Sequence, residues 1–113
     1  MDNHYNHFKK IDAHSHIGKF GSPFNIDFDL QRLTEQMEAY NIEKTLLCPA
    51  GCHLNEELKT AYQAAPDKII PLCWVNANEG QEAYDMLEHY LRDENFAGVK
   101  MQPLFDAFTA DSP

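Results

Sequence analysis

The chain has 113 residues, 43% of them hydrophobic, enough for one compact domain whose core is small for its surface. Its 18 acidic against 9 basic residues give a formal net charge of −9, which excludes a basic nucleic-acid or anionic-membrane surface and favours small-molecule chemistry. No run approaches the ~18 consecutive apolar residues of a membrane span, residues 1–10 lack the apolar centre of a signal peptide, and Cys48, Cys52 and Cys73 suit reduced thiols. A cytoplasmic protein is expected.

In chain order, Lys10 to His14 reads as a first strand, stopped by a loop from Gly18 to Pro23. A helix follows, with Asp27 or Asp29 able to cap it, an apolar stripe of Leu30, Leu33, Met37 and Tyr40, and Asn41 as a left-handed stop. Lys44 to Cys48 is a second apolar run, ended by Pro49. Asn55 is expected to cap a second helix, with Leu58, Ala61, Tyr62 and Ala65 on one face and Pro66 closing it. Ile69 to Val75 is a third strand. The pattern then predicts a helix from about Glu79 to Arg92 with Ala83, Met86, Leu87, Tyr90 and Leu91 inward, a fourth strand from Phe96 to Met101, and a loop-like tail from Leu104 with no further helix.

Strands that are almost wholly apolar, joined by crossovers long enough to be helices, imply a parallel sheet covered by helices. The order is β-α-β-α-β-α-β, an α/β fold without internal repeat or linker. A closed barrel of eight such units typically takes ~250 residues. The chain supplies about half of that in a single domain over residues 1–113, so the first half of a TIM (β/α)8 barrel and a free-standing four-stranded doubly wound sheet both fit the pattern, and the motifs must decide between them.

His14 and His16 stand two apart at the carboxyl end of the first strand, so both imidazoles can project from one face to one point. Imidazole is a common ligand of zinc and similar ions, and an open metal position can lower the pKa of bound water to ~7. Asp12 lies on the same face, and the glycine at position 18 leaves room for close approach. The isolated spacing is a weak signal; its position directly after an N-terminal strand strengthens it.

The segment Ile11-Asp12-Ala13-His14-Ser15-His16-Ile17-Gly18 resembles the opening motif of the amidohydrolase superfamily, in its amidohydrolase-related branch. Thr45 to Pro49 looks like that family's second strand, Tyr62-x3-Pro66-Asp67-Lys68 like its helix ending before strand three, and Gly98 to Pro103 like its fourth strand. The resemblance spans residues 9–105. It implies a metal-dependent TIM-barrel hydrolase in which His14 and His16 are ligands and metal-activated water attacks a small-molecule substrate. It also implies further ligands on strands five, six and eight, beyond this chain. Zinc is the expected divalent metal, with manganese as the alternative.

Lys100 matches the place where binuclear members carry a carboxylated lysine, while an ordinary ion pair or anion-binding ammonium is the simpler reading of an inward lysine. Gln102 stands where related sequences often have histidine. His53, in the loop after the second strand, and Asn76, at the end of the third beside Trp74, are candidate substrate contacts together with Gln102. Cys48-x3-Cys52-His53 lacks the second ligand pair of a structural zinc site, and the acidic runs at Glu56-Glu57 and Asp93-Glu94 fit solvated helix ends.

The expected function is a metal-dependent hydrolase, inactive as this chain alone. The alternatives are a decarboxylase or hydratase of the same branch, or a non-catalytic half-barrel that associates with another chain. Open edges on a four-stranded parallel sheet predict a homo-oligomer or association through those edges.

Overall fold

The computed structural model describes residues 5–111. Four parallel strands form one sheet in the order β1 (Lys10–Ser15), β4 (Ile42–Leu47), β5 (Ile69–Trp74), β6 (Gly98–Lys100). A two-stranded antiparallel hairpin, β2 (Gly18–Phe20) with β3 (Ile26–Phe28), stands after β1. Helices α1 (Leu30–Ala39), α2 (Asn55–Ala64) and α3 (Gln81–Glu88) cross between the parallel strands.

The parity of the strands decides where the core sits. Leu47 on β4, Ile69 and Cys73 on β5 and Val75 just beyond it carry odd numbers and pack with Leu33 and Met37 of α1, Leu58 and Ala61 of α2 and Ala83 of α3. Their even-numbered neighbours Leu46, Ile70 and Leu72 turn to the opposite face, where they stay half-buried. A sheet with its helix core on one face and a second, partly apolar face is a barrel wall; a doubly wound sheet would be covered on both. The fold is thus the first half of a β/α barrel, with the carboxyl ends of its strands at one rim.

Local signals explain most boundaries. The Asp29 side chain caps α1 by accepting from the Arg32 amide at 2.9 Å, and Asn41 takes the left-handed conformation that ends the helical segment.

Several expectations need correction. The loop from Gly18 is a hairpin, whose facing residues Lys19 and Asp27 form an exposed ion pair at 3.7 Å. The third helical region is interrupted. A 3-10 turn at Ala77–Glu79 gives way at Gly80, which has a positive φ of 57°, and after α3 the chain widens into a π turn, His89–Asp93. The fourth strand keeps only Gly98–Lys100; Phe96 belongs instead to the helix-side core. Helix α4 (Pro103–Asp106) follows it, started by Pro103, whose ring suits a first helical turn, and ended by left-handed Ala107. Tyr40 and Leu91 lie on the solvent side of their helices, 50% and 39% exposed.

Asn55 is also not the cap expected for α2. It is the first helical residue, 1% exposed, and its side chain points inward to the backbone of Trp74. Its Nδ2 donates to the Trp74 carbonyl at 2.9 Å, and the Trp74 amide donates back to Oδ1 at 2.8 Å. Trp74 ends β5, so this buried amide replaces a strand neighbour and fixes the strand's carboxyl end.

Candidate metal centre

His14 and His16 meet at the rim, with their Nε2 atoms 2.9 Å apart. The strand does not run regularly between them and the sheet: the pairing with β4 slips between Asp12 and Ser15, and the His14 amide donates to Asp12 Oδ1 at 3.0 Å. Such irregularities re-aim side chains at strand ends. Ser15 on the other face is held by Thr45 Oγ1 at 2.6 Å, which pins the strand between the two histidines.

The second ring nitrogen of His16 settles its tautomer. His16 Nδ1 lies 2.6 Å from the Cys48 carbonyl oxygen, which can only accept, so Nδ1 carries the proton and Nε2 the lone pair. Burial lowers the pKa of His16; the Cys48 bond opposes this, and His14 and Lys100 lower it further. The neutral, Nδ1-protonated ring is the form a metal ligand takes, with a backbone carbonyl as orienting partner.

The pair fits a divalent ion. A tetrahedral ion holding both nitrogens at 2.0–2.1 Å would set them about 3.3 Å apart, a few tenths of an ångström beyond their present separation. The fit is partial. Among the described residues no group of three or more His, Cys, Asp or Glu side chains converges, so two imidazoles are what this chain offers. Cys48, Cys52 and His53 form no such group either, and the three cysteines are free.

Around the pair lies a pocket of about 350 Å³ lined by both histidines, Phe20, Phe24, Pro49, Ala50, Trp74, Lys100, Gln102 and Phe105. Lys100 pairs in register with Trp74, so the two project from the same face into it, and among the described residues Lys100 takes part in no ion pair. Gln102, just before α4, also reaches the pocket.

The other two candidates do not converge on it. His53 is exposed in the 3-10 turn Cys52–Leu54, its ring so close to Gly51 that a Cβ there would stand 2.8 Å away. Asn76 accepts from the Asn78 amide at 3.0 Å and serves its own turn. Conversely, Phe20, Phe24 and Phe105 line the site although sequence reasoning passes over them. The hairpin and α4 that carry them read as loops in the sequence, and an aromatic residue in a loop gives no periodic signal.

No protein-family model matches the chain, and no curated protein does. Solved structures do. The manganese-bound 5-carboxyvanillate decarboxylase LigW2 from Novosphingobium aromaticivorans, in complex with 3-methoxy-4-hydroxy-5-nitrobenzoic acid, superimposes with a TM-score of 0.72 at 15% identity over 86% of this chain. The 2,6-dihydroxybenzoate decarboxylase from Rhizobium gives 0.62 at 17% identity over 80%. A complex of 2,6-dihydroxybenzoate decarboxylase with 2,6-dihydroxybenzoate gives the same score at 18% identity. The chain spans 42%, 37% and 38% of these three chains. At such identities the likeness establishes the fold. Among the described residues, no helix is long and apolar enough to cross a membrane.

Proposed function

We propose that this chain forms the first four units of a metal-dependent enzyme of the amidohydrolase-related type, with His14 and His16 as two ligands of a divalent ion. The observation that carries the reading is the convergence of their Nε2 atoms at 2.9 Å, with the His16 tautomer set by the Cys48 carbonyl. A divalent ion bound there would supply Lewis-acid stabilisation of developing negative charge or a lowered pKa for bound water. Manganese and zinc both suit imidazole, and manganese is the metal of the 5-carboxyvanillate decarboxylase.

Hydrolysis is the expectation that the sequence alone favours. Decarboxylation of a small carboxylic acid is better supported, because the neighbours in fold are decarboxylases and a lysine shares the pocket with the histidines. In this reading Lys100 acts as an ammonium that holds a substrate carboxylate, and Gln102 offers its amide to a further polar group.

Metal content after gel filtration in manganese or zinc tests the centre. The chain should retain metal weakly, and the doubly substituted His14→Ala, His16→Ala chain should retain none; equal content in both would refute the assignment. Little turnover is expected from the chain alone, since two imidazoles leave the coordination sphere incomplete.

A second reading concerns assembly. Strands β1 and β6 each have one unpaired edge, and Leu46, Ile70 and Leu72 leave the inner face half-buried and apolar. We propose that the isolated chain associates with itself through these surfaces. Light scattering coupled to size exclusion should give a mass above the 13.0 kDa of one chain, and a stable, dilute monomer would end this idea.

A further inference from the structure

Among the described residues, the parallel sheet ends in two edges that complement each other. In the order β1-β4-β5-β6 all neighbours run parallel, so the free side of β6 can take a further parallel strand as β5 takes β6. The free side of β1 belongs to such a strand. Both edges carry uncovered apolar side chains: Ile11 on β1 is 58% exposed, and Val99 on β6 and Met101 just beyond it are 38% and 36% exposed. Open edges recruit strands, and a second copy of this chain presents the matching one.

Pairing β6 of each copy with β1 of the other closes a ring of eight parallel strands about a twofold axis, the strand number of a closed β/α barrel. Symmetry then fixes where the histidines go. All carboxyl ends share one rim, and the two β1 strands stand four steps apart in a ring of eight, on opposite walls. Strands about 4.8 Å apart and tilted by about 36° make a ring about 15 Å across. An imidazole Nε2 lies about 4.6 Å from its Cα, so two opposed rings and two metal–nitrogen bonds of about 2 Å span about 13 Å. The remaining gap is small. The β1–β4 register breaks between Asp12 and Ser15, and His16 lies beyond the paired strand, so both histidines sit where the backbone can lean inward. Charge is balanced as well, because Asp12 and Lys100, which act on the Cys48 thiol with opposite signs, enter together with each copy.

We propose that the isolated chain pairs with a second copy into a closed barrel, and that one zinc ion on its axis joins the His14/His16 pair of each copy. The proposal rests on the reading of these histidines as metal ligands. It adds the partner, the source of the missing ligands and the stoichiometry. Four imidazoles fill a tetrahedral sphere, and a zinc ion without an open position holds structure and activates no water. The ion is then a staple between copies, and the pair it joins is catalytically inert.

Light scattering coupled to size exclusion, with metal analysis of the same peak, tests this with zinc as the probe and EDTA as the reference. In zinc the mass should be twice the 13.0 kDa of one chain, with one ion for every two chains. Zinc at about 100 times its dissociation constant should tighten the pairing about 100-fold over EDTA. The doubly substituted His14→Ala, His16→Ala chain should lose both the zinc and this tightening. Ile11→Lys and Val99→Lys, each at an exposed edge position, should stay single in zinc and keep only the weak binding of one histidine pair. Zinc retained at one ion per chain, pairing equally tight in EDTA, masses growing past two chains, or edge variants that pair like the wild type would each overturn the shared ion. The histidine ligands would survive those outcomes. A wild-type chain that retains no zinc would overturn the ligand reading and this proposal with it. Should one edge variant lose its native circular dichroism, the other carries the edge test.

Discussion

Replacing Asn55 with alanine should be among the most damaging single changes in this chain, although Asn55 touches neither ligand nor metal. The substitution strips the partners from the Trp74 amide and carbonyl, both bonded to Asn55 beneath α2. An unsatisfied buried polar group costs about 1–3 kcal/mol, so two cost about 2–6 kcal/mol. That is a large share of the about 5–15 kcal/mol that holds a typical domain folded. Urea unfolding followed by Trp74 emission is the assay. With a slope of about 2 kcal/mol per molar, the middle of the range for small proteins, the midpoint should fall by about 1–3 M. The emission of the native state should also shift, because the indole loses its support. Gln31→Ala, which removes only an exposed 3.0 Å bond to Glu35 on helix α1, is the control and should stay within about 0.5 kcal/mol. If Asn55→Ala unfolds at the same urea concentration as that control, the buried-amide argument is wrong.

Three further outcomes are expected. Asp29→Ala removes the side-chain cap of α1 and should cost about 1 kcal/mol in the same urea assay, with no change costing the cap its assigned role. Burial and the hydrogen bond to Glu56 at 2.6 Å push the Tyr90 phenol well above its ordinary value, and the same bond pulls the Glu56 carboxyl below its usual 4.5. The neutral phenol is the form the fold favours, so its contribution is complete below about pH 10 and declines as pH rises further. The ionised carboxylate contributes above its ordinary value and less as pH falls through the lowered one. Tyr90→Phe should flatten the alkaline decline, and parallel pH profiles would contradict this. Finally, burial pushes the Cys73 thiol up to about 11 and raises Cys48 and Cys52 as well. Ellman's reagent should find the native chain slow to react, Cys52 first because it is only half-buried, and all three thiols fast in urea. Three fast thiols in the native protein would disprove it.

The fold was legible wherever apolar spacing carried the information. Leu33 and Met37, or Leu58 and Ala61, recur at helical intervals because they face one core, and the core proved to be there. The strand-end histidines were legible for a related reason: a spacing of two on a strand puts both side chains on one face, whatever the strand later packs against. The hairpin and α4 were not. Their strands are three residues long and the helix four, too short for a period to emerge, and their hold comes from Lys19–Asp27 and Trp74–Asp106 contacts between residues distant in sequence or on facing strands. Asn55 misled for a physical reason. Asparagine before an apolar helical stripe is a good cap, but here the amide gains more from two buried backbone groups than from the helix end.

The odd and even positions of the strands have separate duties, and this gives the molecule a way to change. Along β5, Ile69 and Cys73 answer to the helices, while Ile70, Leu72 and Trp74 answer to the interior of the barrel. Substitution at every position of that strand should therefore yield a tolerance profile with a two-residue beat: loss of folding at one parity, a retained fold at the other. Trp74 is the exception that ties the two together, since its backbone serves stability and its ring serves the pocket. A lineage of such chains can vary the even positions with its framework left intact, provided that one tryptophan keeps its asparagine.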